Sequence, residues 1–195
     1  MAGKYQNIIE LWSKAEAPAA PPLKDVKLDP KTTALLLLDF VQQACNDKVR
    51  PRCVETLPAA AALLAQARDK GVFVVYSFGN VTPGRSIEDT RPEVAPRPGE
   101  PYVQTGPNKY LKTNLDEMLQ QRGIKTVIIT GTAAHGAVLH TADESVFRGY
   151  KTVVPVDAIS AETLFIEQYV VHHFTRGSRV ADATTLTTVG QITFG

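Results

Sequence analysis

Two periodicities alternate along this chain. The stretch TALLLLDF at 33–40 is apolar at nearly every position, as in a parallel strand covered on both faces. Residues 55–71 (ETLPAAAALLAQARDKG) carry a helical pattern, with Pro58 near the start, basic residues in the last turn and Gly71 as a stop. VFVVYSF at 72–78 predicts a second strand. The alternation then continues through helix 113–122, strand 125–130, helix 135–148, strand 151–156, helix 161–175 and a short strand near 183–188. Strands separated by helices imply a mostly parallel sheet with helices on both faces. The predicted class is therefore α/β, a three-layer α/β/α fold around a parallel sheet of about six strands.

Two segments stand outside the rhythm. Residues 1–22 read as a short helix with Ile8, Ile9 and Trp12 on one face, followed by the Pro-rich APAAPP. The expected division is an N-terminal arm over 1–29, packing on the body or on another subunit, and one domain over 30–195. Residues 79–108 hold six prolines and four glycines without convincing periodicity. A loop that long inside a compact domain is usually functional or disordered.

Composition narrows the function classes. With 21 Lys and Arg against 20 Asp and Glu, the net charge is +1. No charge field argues for nucleic acid or an anionic membrane. The longest apolar run, ALLLLDFV, contains an Asp and is far too short to span a bilayer. The N-terminus has no apolar core of a signal peptide, so a cytoplasmic location is expected. Two cysteines, Cys45 and Cys53, make no disulfide framework, and a reduced setting with both as buried small hydrophobes is expected.

In an open α/β sheet, ligands bind at the carboxyl ends of the strands. Three such ends stand out: Asp39 to Phe40, Ser77 to Asn80, and Gly131 to Ala137. Asp39 follows four leucines, so its carboxylate must be paired, hydrogen-bonded or protonated, which suits a general acid or base; the structural alternative is a helix cap. The loop GTAAHGA lets a ligand approach the backbone, so Ala133, Ala134, His135, Gly136 and Ala137 form a candidate anion cradle; the alternative is tight strand-to-helix packing. His135 could face the pocket as a donor, or cap the helix. Lys109 could reach toward Asp39, or simply be solvated. Asn80 is a candidate substrate contact. His172 and His173 lack partners at metal spacing and read as structural. GxGxxG, GxxxxGK[ST], GxSxG and HExxH are all absent, which disfavours nucleotide chemistry, serine esterases and zinc proteases.

The blocks ALLLLDF, YLKTNLDEMLQQRGIKTVIITG and GTAAHGAVLHTADESVFRGYKTVVPVDAIS, in this order over roughly 30–190, resemble the isochorismatase-like hydrolase superfamily, the cysteine hydrolases. The resemblance implies that family's Rossmann-like sheet and a site built on Asp, Lys and Cys. The Asp corresponds to Asp39. The Lys role falls to Lys109, directly before Tyr110, or to the place of Gln104, six residues before it. The place of the Cys holds Ala137, before Val138, and Ala134 replaces a small hydroxyl residue. Gly131, Ala134 and His135 match the G-x-x-A-H pattern of the true isochorismatases, which also lack the Cys. The resemblance thus implies a hydrolase of a small, carboxylate-bearing molecule, using Asp acid/base catalysis without a Cys nucleophile. Two alternatives stand beside it: a Cys-dependent amidohydrolase captured as a Cys-to-Ala variant at 137, and a non-catalytic binding or scaffold member. No metal or organic cofactor is implied. The expected partners are a small-molecule substrate and further copies of the chain, as a dimer or tetramer.

Overall fold

The structure is a computed structural model that describes residues 5–79 and 86–195. Strands β1 (Val26–Leu28), β2 (Thr33–Leu38), β3 (Phe73–Gly79), β4 (Tyr102–Thr105), β5 (Thr126–Thr132), β6 (Lys151–Pro155), β7 (Ile159–Ser160), β8 (Thr184–Thr187) and β9 (Ile192–Phe194) alternate with helices α1 (Pro51–Asp69), α2 (Leu115–Gln121), α3 (Leu139–Phe147), α4 (Leu164–Arg176) and α5 (Val180–Ala183). The main sheet has seven strands in the order β4-β3-β2-β5-β6-β8, with β7 extending the pairing of β5. All its pairings are parallel. A second, two-stranded sheet pairs β1 with β9.

The leucines of β2 build both cores at once. A strand sends successive side chains to opposite faces, and β2 is buried along its whole length. Leu36 and Leu38 enter the core with Leu115, Leu119, Val138 and Phe174 of the helices on one face. Leu35 and Leu37 pack with Leu57, Leu63 and Leu64 of α1 on the other. The three-layer class follows from that division.

Several elements differ from expectation. β4 lies inside the segment read as a structureless loop; it is a four-residue edge strand after Pro101, alternately exposed and buried, too short and too crowded by Pro and Gly to signal itself. With β7 it raises the count from about six to seven. Helix α1 begins at Pro51 rather than 55, because a proline is favoured at the first helical position, and Pro58 falls inside the helix. The predicted N-terminal helix shortens to a single 3-10 turn at Trp12–Lys14 among the described residues, with Ile8, Ile9 and Trp12 all exposed. No helix among the described residues is long and apolar enough to cross a membrane.

The long segment is tied to the body from 86 onward. Arg68 of α1 donates to Glu100 (2.7 and 2.8 Å) and to the carbonyl of Ala95 (2.9 Å), and Val41 bridges to Thr90.

Candidate active site

Strand order decides where the site lies. From β2 the chain moves outward through β3 and β4; from β5 it moves the opposite way through β6 and β8. The order reverses between β2 and β5, where a crevice opens at the carboxyl ends of an α/β sheet. In that register Leu38 pairs with Gly131, so Asp39 and the loop after β5 emerge side by side.

Asp39 caps no helix. Its φ is +57°, which turns the chain sharply off the strand end. Ser77 donates its hydroxyl to Asp39 Oδ1 (2.9 Å), and Lys109 donates Nζ to Oδ2 (2.8 Å) while lying 2.8 Å from Oδ1. The Lys109 side chain is fully buried. Its backbone N–H donates to Thr141 Oγ1 (3.2 Å) and its carbonyl accepts from Thr113 (2.6 Å). The neighbouring Tyr110 hydroxyl meets Ser145 at 2.9 Å. Lys109 is thus anchored to α3 and aimed across the sheet top, whereas Gln104 lies exposed on β4.

Beyond β5 the chain enters a π-helical turn, Ala134–Val138, before α3; such turns are frequent at functional sites. The Thr132–Ala133 peptide bond is cis. Thr132, Ala133, Gly136 and Ala137 line a cavity of about 290 Å³ together with Asp39, Gln43, Ala44, Val49, Arg50, Gly79, Gly106 and Pro107.

The predicted site residues therefore divide. Asp39, Lys109, Ala133, Gly136 and Ala137 converge on this cavity or its floor. Ala134 is turned into the core. His135 is 45% exposed and leans outward, its Nδ1 3.7 Å from Glu162 Oε2. The cradle is also narrower than expected, because Gly136 N–H donates to the Ala133 carbonyl (2.9 Å). Asn80 lies outside the described residues. Away from the site, His173 holds Asp143 at 2.9 Å and links α4 to α3.

Sequence reasoning missed Arg50 and Glu162. Arg50 caps the start of α1 and donates Nη1 to Thr132 Oγ1 (3.2 Å) and Nε to Glu162 Oε1 (3.1 Å), with Nη2 on the same oxygen. Burial pushes the Glu162 carboxyl up, but the Arg50 hydrogen bonds and charge, a backbone hydrogen bond and nearby His135 together hold it below the ordinary carboxylate value. An arginine in an irregular loop carries no sequence signal for such a place. Nor did the cysteines behave as expected: Cys45 and Cys53 form a disulfide. Residue 45 sits in the turn after Val41 and residue 53 in the first turn of α1, so a short connection folds the two side chains together. The bridge overturns the expectation of two reduced, unpaired thiols.

A family model, the Isochorismatase domain, matches residues 33–186. The chain belongs to the isochorismatase family. An isochorismatase family protein of Bacillus subtilis is 30% identical over 151 residues, covering 72% of this chain and 84% of that one. A maleamate amidohydrolase of Pseudomonas putida is 25% identical over 146 residues, 62% of this chain and 68% of the other. A secreted isochorismatase effector of Verticillium dahliae is 26% identical over 136 residues, 65% and 72% of the two chains. Among solved structures, N-carbamoylsarcosine amidase from Thermoplasma acidophilum is similar with a TM-score of 0.69 at 25% identity, over 81% of this chain and 96% of the other. An isochorismatase from Pseudomonas putida shares the fold at a TM-score of 0.75 and 18% identity, over 97% and 100% of the chains. Isochorismatase-family members such as the amidohydrolase and the amidase are hydrolases.

Proposed function

We propose that this isochorismatase-family chain hydrolyses a small, carboxylate-bearing molecule through Asp39 acid/base catalysis, without a covalent intermediate. The observation that carries this reading is an intact Asp39–Lys109 pair at the floor of a cavity whose wall holds Ala137. A methyl group cannot act as a nucleophile, so an acyl-enzyme route through position 137 is closed. Acid/base chemistry remains open. Asp39 in its protonated form delivers the proton to a vinyl-ether carbon, water adds to the resulting cation and returns a proton to the Asp39 carboxylate, and the adduct collapses to a ketone and an alcohol. Lys109 holds the carboxylate in place and balances its charge. The N–H groups of the 133–137 turn not already used by the backbone supply part of the anion cradle.

A second reading is favoured by the names of two relatives, maleamate amidohydrolase and N-carbamoylsarcosine amidase: an amidase whose nucleophile is absent at 137. One panel separates them. Isochorismate and small amides are offered to the chain as it stands and to Ala137→Cys, with products read by mass spectrometry. Isochorismate turnover by the unaltered chain supports the Asp39 route. Amide turnover only after Ala137→Cys supports the amidase reading. Binding without product from either would leave the fold as a binding scaffold.

We also propose that the chain works as a homo-oligomer. Leu164, Phe165 and Tyr169 of α4 are 66%, 64% and 50% exposed. Leu164 and Phe165 line an apolar groove of about 760 Å³ shared with Pro18, Pro21 and Leu23 of the arm. Contiguous apolar surface of this kind marks an interaction site.

A further inference from the structure

Asp39 and Lys109 leave unexplained another charged side chain that lines the cavity. Arg50 belongs to none of the family blocks, yet it lines the same cavity as Asp39 and Ala137, and only 11% of its side chain is exposed. A guanidinium has five N–H donors in a rigid fork. Three are taken, one by Thr132 and two by Glu162; the other two have no protein partner among the described residues. The charges in and around the cavity are also unequal in what they can offer. Asp39 is already met by buried Lys109 at 2.8 Å. Glu162 meets Arg50 from outside, with 38% of its side chain exposed, so water screens its hold. A ligand entering the cavity meets Arg50 on the shielded side, where the same interaction is stronger.

Arg50 is also held still. Its N–H donates to the carbonyl of Asn46 (2.8 Å), and its own carbonyl accepts from Cys53 N–H (2.9 Å). Asn46 Oδ1 accepts from the N–H groups of Lys48 and Val49 (3.0 Å each). The Cys45–Cys53 disulfide closes the segment around these contacts. An anchor fixed before the ligand arrives loses less freedom on binding.

The geometry points to Arg50 as the specificity-determining residue of this site: it seats a carboxylate of the substrate, with Glu162 and the Cys45–Cys53 bridge as its positioning elements. This deepens the proposed function and rests on the cavity being the substrate site, though not on how the bond is broken.

Benzoate and benzamide match in shape and differ in charge. Each is titrated into the full, oxidised chain by calorimetry. Benzoate is expected to bind at least about tenfold tighter than benzamide, as a charge-assisted contact implies. Arg50→Gln should abolish that preference while benzamide affinity stays within about twofold. Arg50→Lys keeps the charge without the fork and should keep only part of the preference. A benzoate preference unchanged in Arg50→Gln overturns the assignment, as does failure of the unaltered chain to bind benzoate. Ala137→Leu, which fills the cavity, tests the underlying reading on its own. Loss of both ligands supports the cavity as the site; benzoate binding that survives Ala137→Leu places the ligand elsewhere and overturns the underlying reading together with the assignment. The readout is binding, so an absence of hydrolysis would count against the mechanism alone.

Discussion

Asp39 stands at φ +57° directly after a strand buried at all six positions. A non-glycine residue in that conformation costs of order 1–3 kcal/mol, so the surroundings must hold it there. Ser77 and Lys109 do so. Asparagine tolerates the same backbone, which makes Asp39→Asn a clean probe of charge. Hydrolysis of a vinyl ether should fall roughly 10²–10⁴-fold, the usual contribution of a positioned acid or base. The protein should also lose about 3 kcal/mol in denaturant unfolding, because the Lys109 ammonium is left buried without its counter-charge. Asp39→Asn with Lys109→Met should recover part of that stability and none of the activity; activity in the double variant would separate the pair from the chemistry. Asp39 was legible in the sequence because an acid behind four leucines has few explanations. Lys109 was legible as a reach toward it, but choosing it over Gln104 required seeing which of the two is buried. Arg50 was not legible: its place depends on Thr132 and Glu162, 82 and 112 residues away.

At the scale of elements, the site exists because β2 and β5 run side by side at the reversal of strand order. Gly131 makes that closeness possible. Its φ is +130°, and a Cβ built there would lie 2.0 Å from the Leu38 carbonyl oxygen. Neither strand backbone can yield without disturbing Asp39 on one side and Thr132 on the other. Gly131→Ala should destabilise the protein by about 3 kcal/mol or more, combining overpacking with left-handed strain, and should reduce ligand binding in whatever fraction still folds. Equal unfolding midpoints for Gly131→Ala and the unaltered chain would contradict this account of the crevice. Long helices and doubly covered strands were readable from their periodicities. β4 and β7 were not, since four and two residues carry too little pattern and draw their register from neighbours. The π-helical turn at 134–138 was likewise hidden; it turns Ala134 and His135 away from the cavity that Ala133, Gly136 and Ala137 line.

Across the whole molecule, the two faces of the sheet are closed by helices, and the most exposed large apolar residues among the described residues lie on α4 and the arm. Tyr5, Ile8, Ile9 and Trp12 are each more than 60% exposed, as are Leu164 and Phe165. Two clusters of aromatic and aliphatic surface on one chain suit self-complementary association, since a closed oligomer buries the same patch on each copy. Light scattering on purified protein should give the mass of a dimer or tetramer of the 21.2 kDa chain. Phe165→Glu should shift it toward monomer while leaving the Asp39–Lys109 pair untouched. A monomeric mass for the unaltered chain would contradict the proposal. The fold class was legible at this scale from alternation alone. The disulfide was not, because two cysteines eight residues apart do not announce whether the chain between them turns back on itself.

The central claim is that this chain breaks a bond without a nucleophile at position 137. Pyruvate release from isochorismate by the unaltered protein, followed by mass spectrometry beside Asp39→Asn, tests it most directly. Pyruvate is expected from the unaltered chain, with a loss of at least about a hundredfold in Asp39→Asn. No pyruvate from the unaltered chain, with amide hydrolysis appearing only in Ala137→Cys, would contradict it.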